Sequence, residues 1–141
     1  MMMRYFAYGS NLNLGQMRIR CPHSRFLGWG MVEDYRIEER RYADIEPADG
    51  AILYGGVFEI GSPDDLRRLD WYEGYPVLYD RVNIRCRLFG RGREFPALVY
   101  MMTESGRARN SGIRFSEGYR AVCSQGAVDC GLPVNYFKEG D

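Results

Sequence analysis

The stretch YDRVNIRCRLFGRGREFPALVYMM, residues 79–102, decides the class of fold. Its first ten residues alternate. Val82, Ile84, Cys86 and Leu88 fall on one face, and Arg81, Asn83, Arg85 and Arg87 on the other. A period of two describes a strand half-buried against a core. The arginine row is read as a solvated strand face rather than an anion site. Gly90, Arg91 and Gly92 turn the chain, and EFPALVYMM (94–102) returns as the partner strand. Strands joined by so short a turn pair antiparallel. That favours an α+β class over a doubly wound parallel sheet.

Upstream of the hairpin, SPDDLRRLDWYEG (62–74) carries a complete set of helix signals. Ser62 suits the N-cap and Pro63 the first helical position. Asp64 and Asp65 complement the positive end of the helix dipole. Leu66 and Leu69 form an inward stripe, and Gly74 can close the helix. ILYGGVFEI (52–60) reads as a buried strand, and ADIEPADGA (43–51) as turn chemistry. FLGWGMVEDYRIEER (26–40) reads as extended chain interrupted by Gly28 and Gly30. Residues 3–8 read as a strand, and 13–21 as a short helix capped by Asn13.

Downstream, TESGRARNSGIR (103–114) is polar and glycine-containing, and is expected to be a loop. SEGYRAVCSQGAVDCG (116–131) reads as a helix capped by Ser116 and ended by Gly131, with Pro133 barring its continuation. Gly118 and Gly126 weaken it, so packing must hold it in place. Many short strands with glycine breaks suit a small barrel or a strongly curled sheet.

The chain of 141 residues has the length of a single domain, 1–141, able to bury its own core. Its formal net charge is zero, which speaks against nucleic acid or an anionic membrane as partner. No apolar run reaches the length of a membrane span, and the N-terminus lacks the pattern of a signal peptide. The four cysteines (Cys21, Cys86, Cys123, Cys130) form no C-x-x-C pair, and His23 is the sole histidine. No metal is expected, and free thiols in a reducing cytoplasm are.

Two stretches can carry chemistry. RYFAYGSNLN (4–13) runs from a strand into Gly9, Ser10 and Asn11. This is either a plain strand exit or a nest of backbone N–H groups that binds a carboxylate or an oxyanion. LDWYEGYP (69–76) places Glu73 at the C-terminal end of its helix, where the dipole disfavours a carboxylate. Either the side chain reaches solvent or it lies within an aromatic wall of Trp71, Tyr72 and Tyr75. In the wall, burial would raise its pKa and suit it to acid/base work. Asp70, one turn earlier, is an equal rival on these grounds. Tyr100 and Tyr119 are read as core or pocket wall. No Ser/His or Cys/His dyad is evident.

Together, YFAYGSNL (5–12), YGGVFEI (54–60), LDWYEG (69–74), VYMM (99–102) and FSEGYRAVCSQGAVDCGLPVNY (115–136) resemble the gamma-glutamylcyclotransferase family over most of the chain. The resemblance implies a small mixed or antiparallel β-barrel core with a few outer helices. It implies no cofactor, and often a homodimer. It also implies release of 5-oxoproline from a small-molecule gamma-glutamyl substrate, with Glu73 rather than Asp70 as the general acid/base. Tyr5, Phe6, Ala7, Tyr8, Gly9, Ser10, Asn11 and Leu12 match the substrate-binding stretch, and Tyr100 the pocket tyrosine. Because the substrate's own amine is the nucleophile, the missing dyads are accounted for. The Tyr75-Pro76 pair departs from some members on the side where the leaving group lies. Gamma-glutamyl amines are therefore the alternative substrates, and a non-catalytic ligand-binding module the alternative role. A third alternative is a barrel whose cavity is filled by its own Tyr and Phe side chains.

Overall fold

A computed structural model describes residues 3–138. In chain order its elements are β1 (Met3–Ala7), a 3-10 turn (Ser10–Leu12), α1 (Leu14–Arg20), β2 (Ser24–Arg40), β3 (Tyr42–Ile60), α2 (Pro63–Glu73), β4 (Tyr79–Leu88), β5 (Phe95–Met102), α3 (Glu104–Asn110) and α4 (Glu117–Asp129). The five strands close a barrel in the order β1-β3-β2-β4-β5, with the helices outside it. The α+β class and the barrel are as expected.

The hairpin that decided the class forms as read, with β4 antiparallel to β5 from Tyr79↔Met102 to Cys86↔Phe95. Ile84 and Cys86 are buried and Arg85 is exposed, as alternation requires. Closure comes from β1, which pairs antiparallel with β3 from Met3↔Ile60 to Ala7↔Gly56 and parallel with β5 at Tyr5↔Leu98. Phe6, Leu53, Val57 and Val99 fill the interior with essentially no exposure.

The turn expected at 43–51 is not there. β2 and β3 form one long hairpin, paired from Ser24↔Ile60 to Arg40↔Tyr42, and the chain reverses at Arg41, whose φ is 63°. The turn-forming residues have a smaller effect. Residues 48–51 bulge opposite Asp34, since Glu33 pairs with Ile52 and Tyr35 with Pro47. Asp34 accepts the Gly50 N–H there at 2.9 Å. A second irregularity falls at Gly28, one of the two glycines expected to interrupt the strand.

The loop expected at 103–114 is also corrected, because residues 104–110 are the helix α3. Thr103 caps it by accepting the Gly106 N–H at 3.0 Å. Asn110 donates back to the Gly106 carbonyl at 2.7 Å. Side-chain caps at both ends support a helix that propensity alone does not favour.

Helix α4 is capped by Ser116 as read. Its Gly126 is the point of contact with the rest of the molecule. A Cβ there would lie 2.4 Å from the Asn13 backbone N and 2.5 Å from the Leu12 carbonyl carbon. The missing side chain lets the helix seat directly on the chain that leaves β1.

Candidate active site

Helix α2 delivers the central carboxylate. Ser62 caps its start, accepting from the Asp64 and Asp65 N–H groups. At its end Gly74 takes the left-handed conformation (φ 65°) and returns its N–H to Asp70 and Trp71. This stop leaves Glu73 in the final turn, beside Asn11 of the 3-10 turn.

Two cavities meet at Glu73. The outer cleft has a volume of about 380 Å³ and is lined by Gln16, Arg20, Tyr42, Tyr72 and Val122, among others. The inner recess is about 30 Å³, lined by Tyr5, Tyr8, Gly9, Asn11, Ala43 and Tyr100. It has room for one small polar group. Ser10, Glu73, Tyr79 and Tyr119 line both. This recess is open, whereas a barrel filled by its own aromatic rings would have none.

Desolvation pushes the Glu73 carboxyl up to a pKa of about 7; Arg20 pulls it down and Asp70 pushes it further up. Asn11 Nδ2 donates to Glu73 Oε1 at 3.1 Å and to the Tyr5 hydroxyl at 3.0 Å. The orientation of that amide is dictated from the other side. Asn11 Oδ1 accepts from Arg20 Nη1 at 3.0 Å and from Gln16 Nε2 at 3.2 Å. A guanidinium can only donate, so the amide oxygen must face it and the amide nitrogen must face Glu73.

The surrounding phenols are held neutral. Burial raises the pKa of Tyr5, Tyr8, Tyr79, Tyr100 and Tyr119 alike. Most are anchored to backbone: Tyr8 donates to the Tyr100 carbonyl at 2.6 Å, and Tyr79 to the Ala43 carbonyl at 2.6 Å. The Tyr119 hydroxyl accepts the Ala43 N–H at 3.0 Å. Gly9 admits this arrangement, since a Cβ there would lie 3.1 Å from both Ala43 Cβ and the Tyr119 hydroxyl.

Asp70, the rival carboxylate, lines neither cavity. It accepts from the Tyr100 hydroxyl at 2.6 Å and pairs with Arg81 at 3.3 Å. Arg81 is half-buried and lies 4.2 Å from the Tyr75 ring centroid, so it differs from the solvated row expected for it. Within the matched stretch, Tyr5, Tyr8, Gly9, Ser10 and Asn11 line the recess, as does Tyr100. Phe6, Ala7 and Leu12 lie wholly in the core and line neither cavity.

The expected aromatic wall is only partly formed. Trp71 is 76% exposed, and Tyr72 contributes to the outer cleft alone. Glu73 is walled instead by tyrosines from β1, β4, β5 and α4. Sequence reading missed Arg20, Gln16, Tyr42 and Tyr79. Gln16 and Arg20 stand four apart on α1, a spacing that puts them on one face. Tyr42 and Tyr79 carry no local signal, because only barrel closure brings their strands together.

The family profile "Gamma-glutamyl cyclotransferase, AIG2-like" matches residues 5–121. The chain is 28% identical over 152 residues to gamma-glutamylcyclotransferase of Mus musculus, covering 96% of this chain and 75% of the relative. The Bos taurus protein of the same name is 26% identical over 148 residues, with the same coverage. Among solved structures, one described as "Gamma-glutamyl cyclotransferase" superposes with a TM-score of 0.79 at 22% identity, covering 97% of this chain and 85% of that one. The mouse AIG2-like protein superposes at 0.63 and 22% identity, over 82% and 86% of the two chains. The matched span runs from the strand that opens the recess, through the helix that carries Glu73, into the helix that supplies Tyr119, and the chain therefore belongs to the AIG2-like gamma-glutamyl cyclotransferase family.

Proposed function

We propose that this protein releases 5-oxoproline from gamma-glutamyl amino acids or peptides. The observation that carries the proposal is Glu73 itself: a carboxyl near neutrality, at the junction of two cavities, fixed by an amide of defined orientation. A group that titrates near 7 can accept and return a proton within one turnover.

In this reaction Glu73 takes a proton from the substrate's α-ammonium. The freed amine attacks the γ-carbonyl, forming the ring C–N bond and placing negative charge on the carbonyl oxygen. The inner recess accepts that oxygen. N–H groups of Leu12 and Asn13 are engaged within the turn, to Gly9 at 3.1 Å and Ser10 at 3.0 Å. Those that open the turn, on Gly9, Ser10 and Asn11, are the donors assigned to the oxyanion. When the tetrahedral intermediate collapses, the original amide C–N bond breaks, Glu73 returns its proton to the departing amine, and the ring nitrogen sheds its second proton to that amine, which leaves as an ammonium beside a neutral lactam. The protein's largest contribution is to hold the flexible glutamyl chain curled for ring closure.

Four buried free thiols support a cytoplasmic setting, and the family resemblance supports a homodimer. The deciding experiment incubates the protein with gamma-glutamyl dipeptides and gamma-glutamyl amines and measures 5-oxoproline by mass, beside Glu73→Gln. The expected result is product from dipeptides, reduced by about 10²- to 10⁴-fold in the variant while its melting profile stays cooperative. Near-normal turnover by Glu73→Gln removes Glu73 as the base. Product from amines alone moves the substrate to that class. Ligand binding without product leaves a binding module.

A further inference from the structure

The outer cleft contains a charged group that proton transfer does not use. Of the residues lining it, only Glu73 and Arg20 carry formal charge. Arg20 stands in the last turn of α1, half-buried, with its guanidinium 4.3 Å from the Tyr72 ring centroid. One of its five N–H donors serves Asn11. No carboxylate forms an ion pair with it among the described residues. Most other half-buried arginines here do have such a partner: Arg40 has Asp44 and Arg81 has Asp70. Its counter-charge in the cleft, Glu73, acts on it only across the Asn11 amide, beyond ion-pair distance, and its planar fork matches a carboxylate.

Its place in the cleft says which carboxylate. The width of one amide, that of Asn11, separates Arg20 from the Glu73 carboxyl. The amine that receives a proton from Glu73 lies beside that carboxyl, and a carboxylate two bonds from this amine reaches Arg20. In the reaction proposed above the γ-carbonyl is held at the recess, which leaves the departing part to the outer cleft, where Tyr42, Tyr72 and Val122 form the walls. We infer that Arg20 is the specificity-determining residue of the outer cleft: it binds the α-carboxylate of the leaving group and so selects gamma-glutamyl amino acids over amides of neutral or cationic amines. This inference rests on the cyclotransferase function proposed above. A diamine leaving group carries a second positive charge into the same space and is repelled.

The test uses gamma-glutamyl-alanine and gamma-glutamyl-ethylamine, whose leaving groups differ by one carboxylate alone. Calorimetry on Glu73→Gln measures the affinity of each without turnover, and again with Arg20→Gln or Arg20→Lys added. Turnover of both compounds is measured on the unaltered protein. The alanine compound is expected to bind about tenfold or more tightly. Arg20→Gln brings the ratio close to one, and Arg20→Lys retains part of it because the charge remains. A ratio unchanged by Arg20→Gln overturns the inference. So does an equal affinity for the two compounds before Arg20 is altered. A parallel loss of both affinities also overturns it, since both carry the glutamyl carboxylate and that group would then be the one held. Turnover without preference removes the role of Arg20 and leaves the reaction standing. An Arg20-dependent preference without turnover removes the reaction and leaves the carboxylate subsite.

Discussion

Burial of the Glu73 carboxyl costs the fold stability, and the cost depends on pH. Burial raises its folded-state pKa to about 7, above the unfolded value. Below the unfolded pKa both states hold the proton and nothing is lost. Between the two values the unfolded chain releases its proton while the folded one keeps it, so stability falls as pH rises, and above about 7 the penalty is constant. Glu73→Gln removes it. The variant should match the parent in thermal midpoint near pH 4.5 and exceed it at pH 8, by about 1–3 kcal/mol in unfolding free energy. Equal midpoints at both values would mean the carboxyl is not desolvated. Asn11 offers a second test, because its Nδ2 faces Glu73. Asn11→Asp puts a like charge there, and the acid limb of the activity profile should move up by about one unit. At this scale the sequence was only half legible. Asp70 and Glu73 share a helix end and cannot be ranked by local energetics. Their separation is tertiary: Tyr100 and Arg81 engage Asp70, while both cavities open on Glu73.

Among the elements, the 3-10 turn after β1 is held on several sides. Leu14 N–H donates to Asp129 at 3.2 Å, Asn13 Nδ2 to the Val122 carbonyl at 3.2 Å, and Cys130 Sγ lies 3.2 Å from the Leu12 carbonyl. Gly126 makes this contact sterically feasible. Gly126→Ala gains about 1 kcal/mol of helix propensity but forces a methyl onto backbone, so a net loss of about 1–3 kcal/mol is expected in the urea midpoint. Gly9→Val, crowding Ala43 and Tyr119, should weaken the binding of a gamma-glutamyl ligand or unfold the chain. Unchanged affinity would remove the turn from the site. Elements whose signals are local were readable: α2 from its cap, proline and closing glycine, and β4–β5 from alternation and a short turn. Helix α3 was not, because Ser105 and Gly106 are poor helix formers and its stability lies in caps that only the folded geometry reveals. The reversal at Arg41 was missed for a related reason. Turn-forming residues at 47–50 produce a bulge there, while ion pairs from Arg40 to Asp44 and Glu46 secure the actual bend.

For the molecule as a whole, Asp44 joins parts that no short segment could connect. It is fully buried on β3, pairs with Arg40 at 2.7 Å and Arg107 at 3.5 Å, and accepts the Met102 N–H at 2.9 Å. One side chain thus ties the long hairpin to β5 and α3. Asp44→Ala should cost about 1–3 kcal/mol, because it leaves the Met102 N–H unpaired and takes a carboxylate from two half-buried arginines, and a lowered urea midpoint would register it. A shift under about 1 kcal/mol would show that water reaches the pair. From local signals alone barrel closure was one of two outcomes, since a curled sheet and a closed one share them, and the family resemblance was what pointed to the barrel. β1 decides it, and its position also sets an order of events during synthesis. Of the five strands this one emerges from the ribosome before the others, yet its neighbours are Gly56–Ile60 on one side and Leu98 on the other. At about 5–20 residues per second, roughly two to eight seconds separate the emergence of Ile60 from that of Met102. Through that interval one edge of an apolar strand remains unpaired, which leaves the half-made chain open to pairing with other chains.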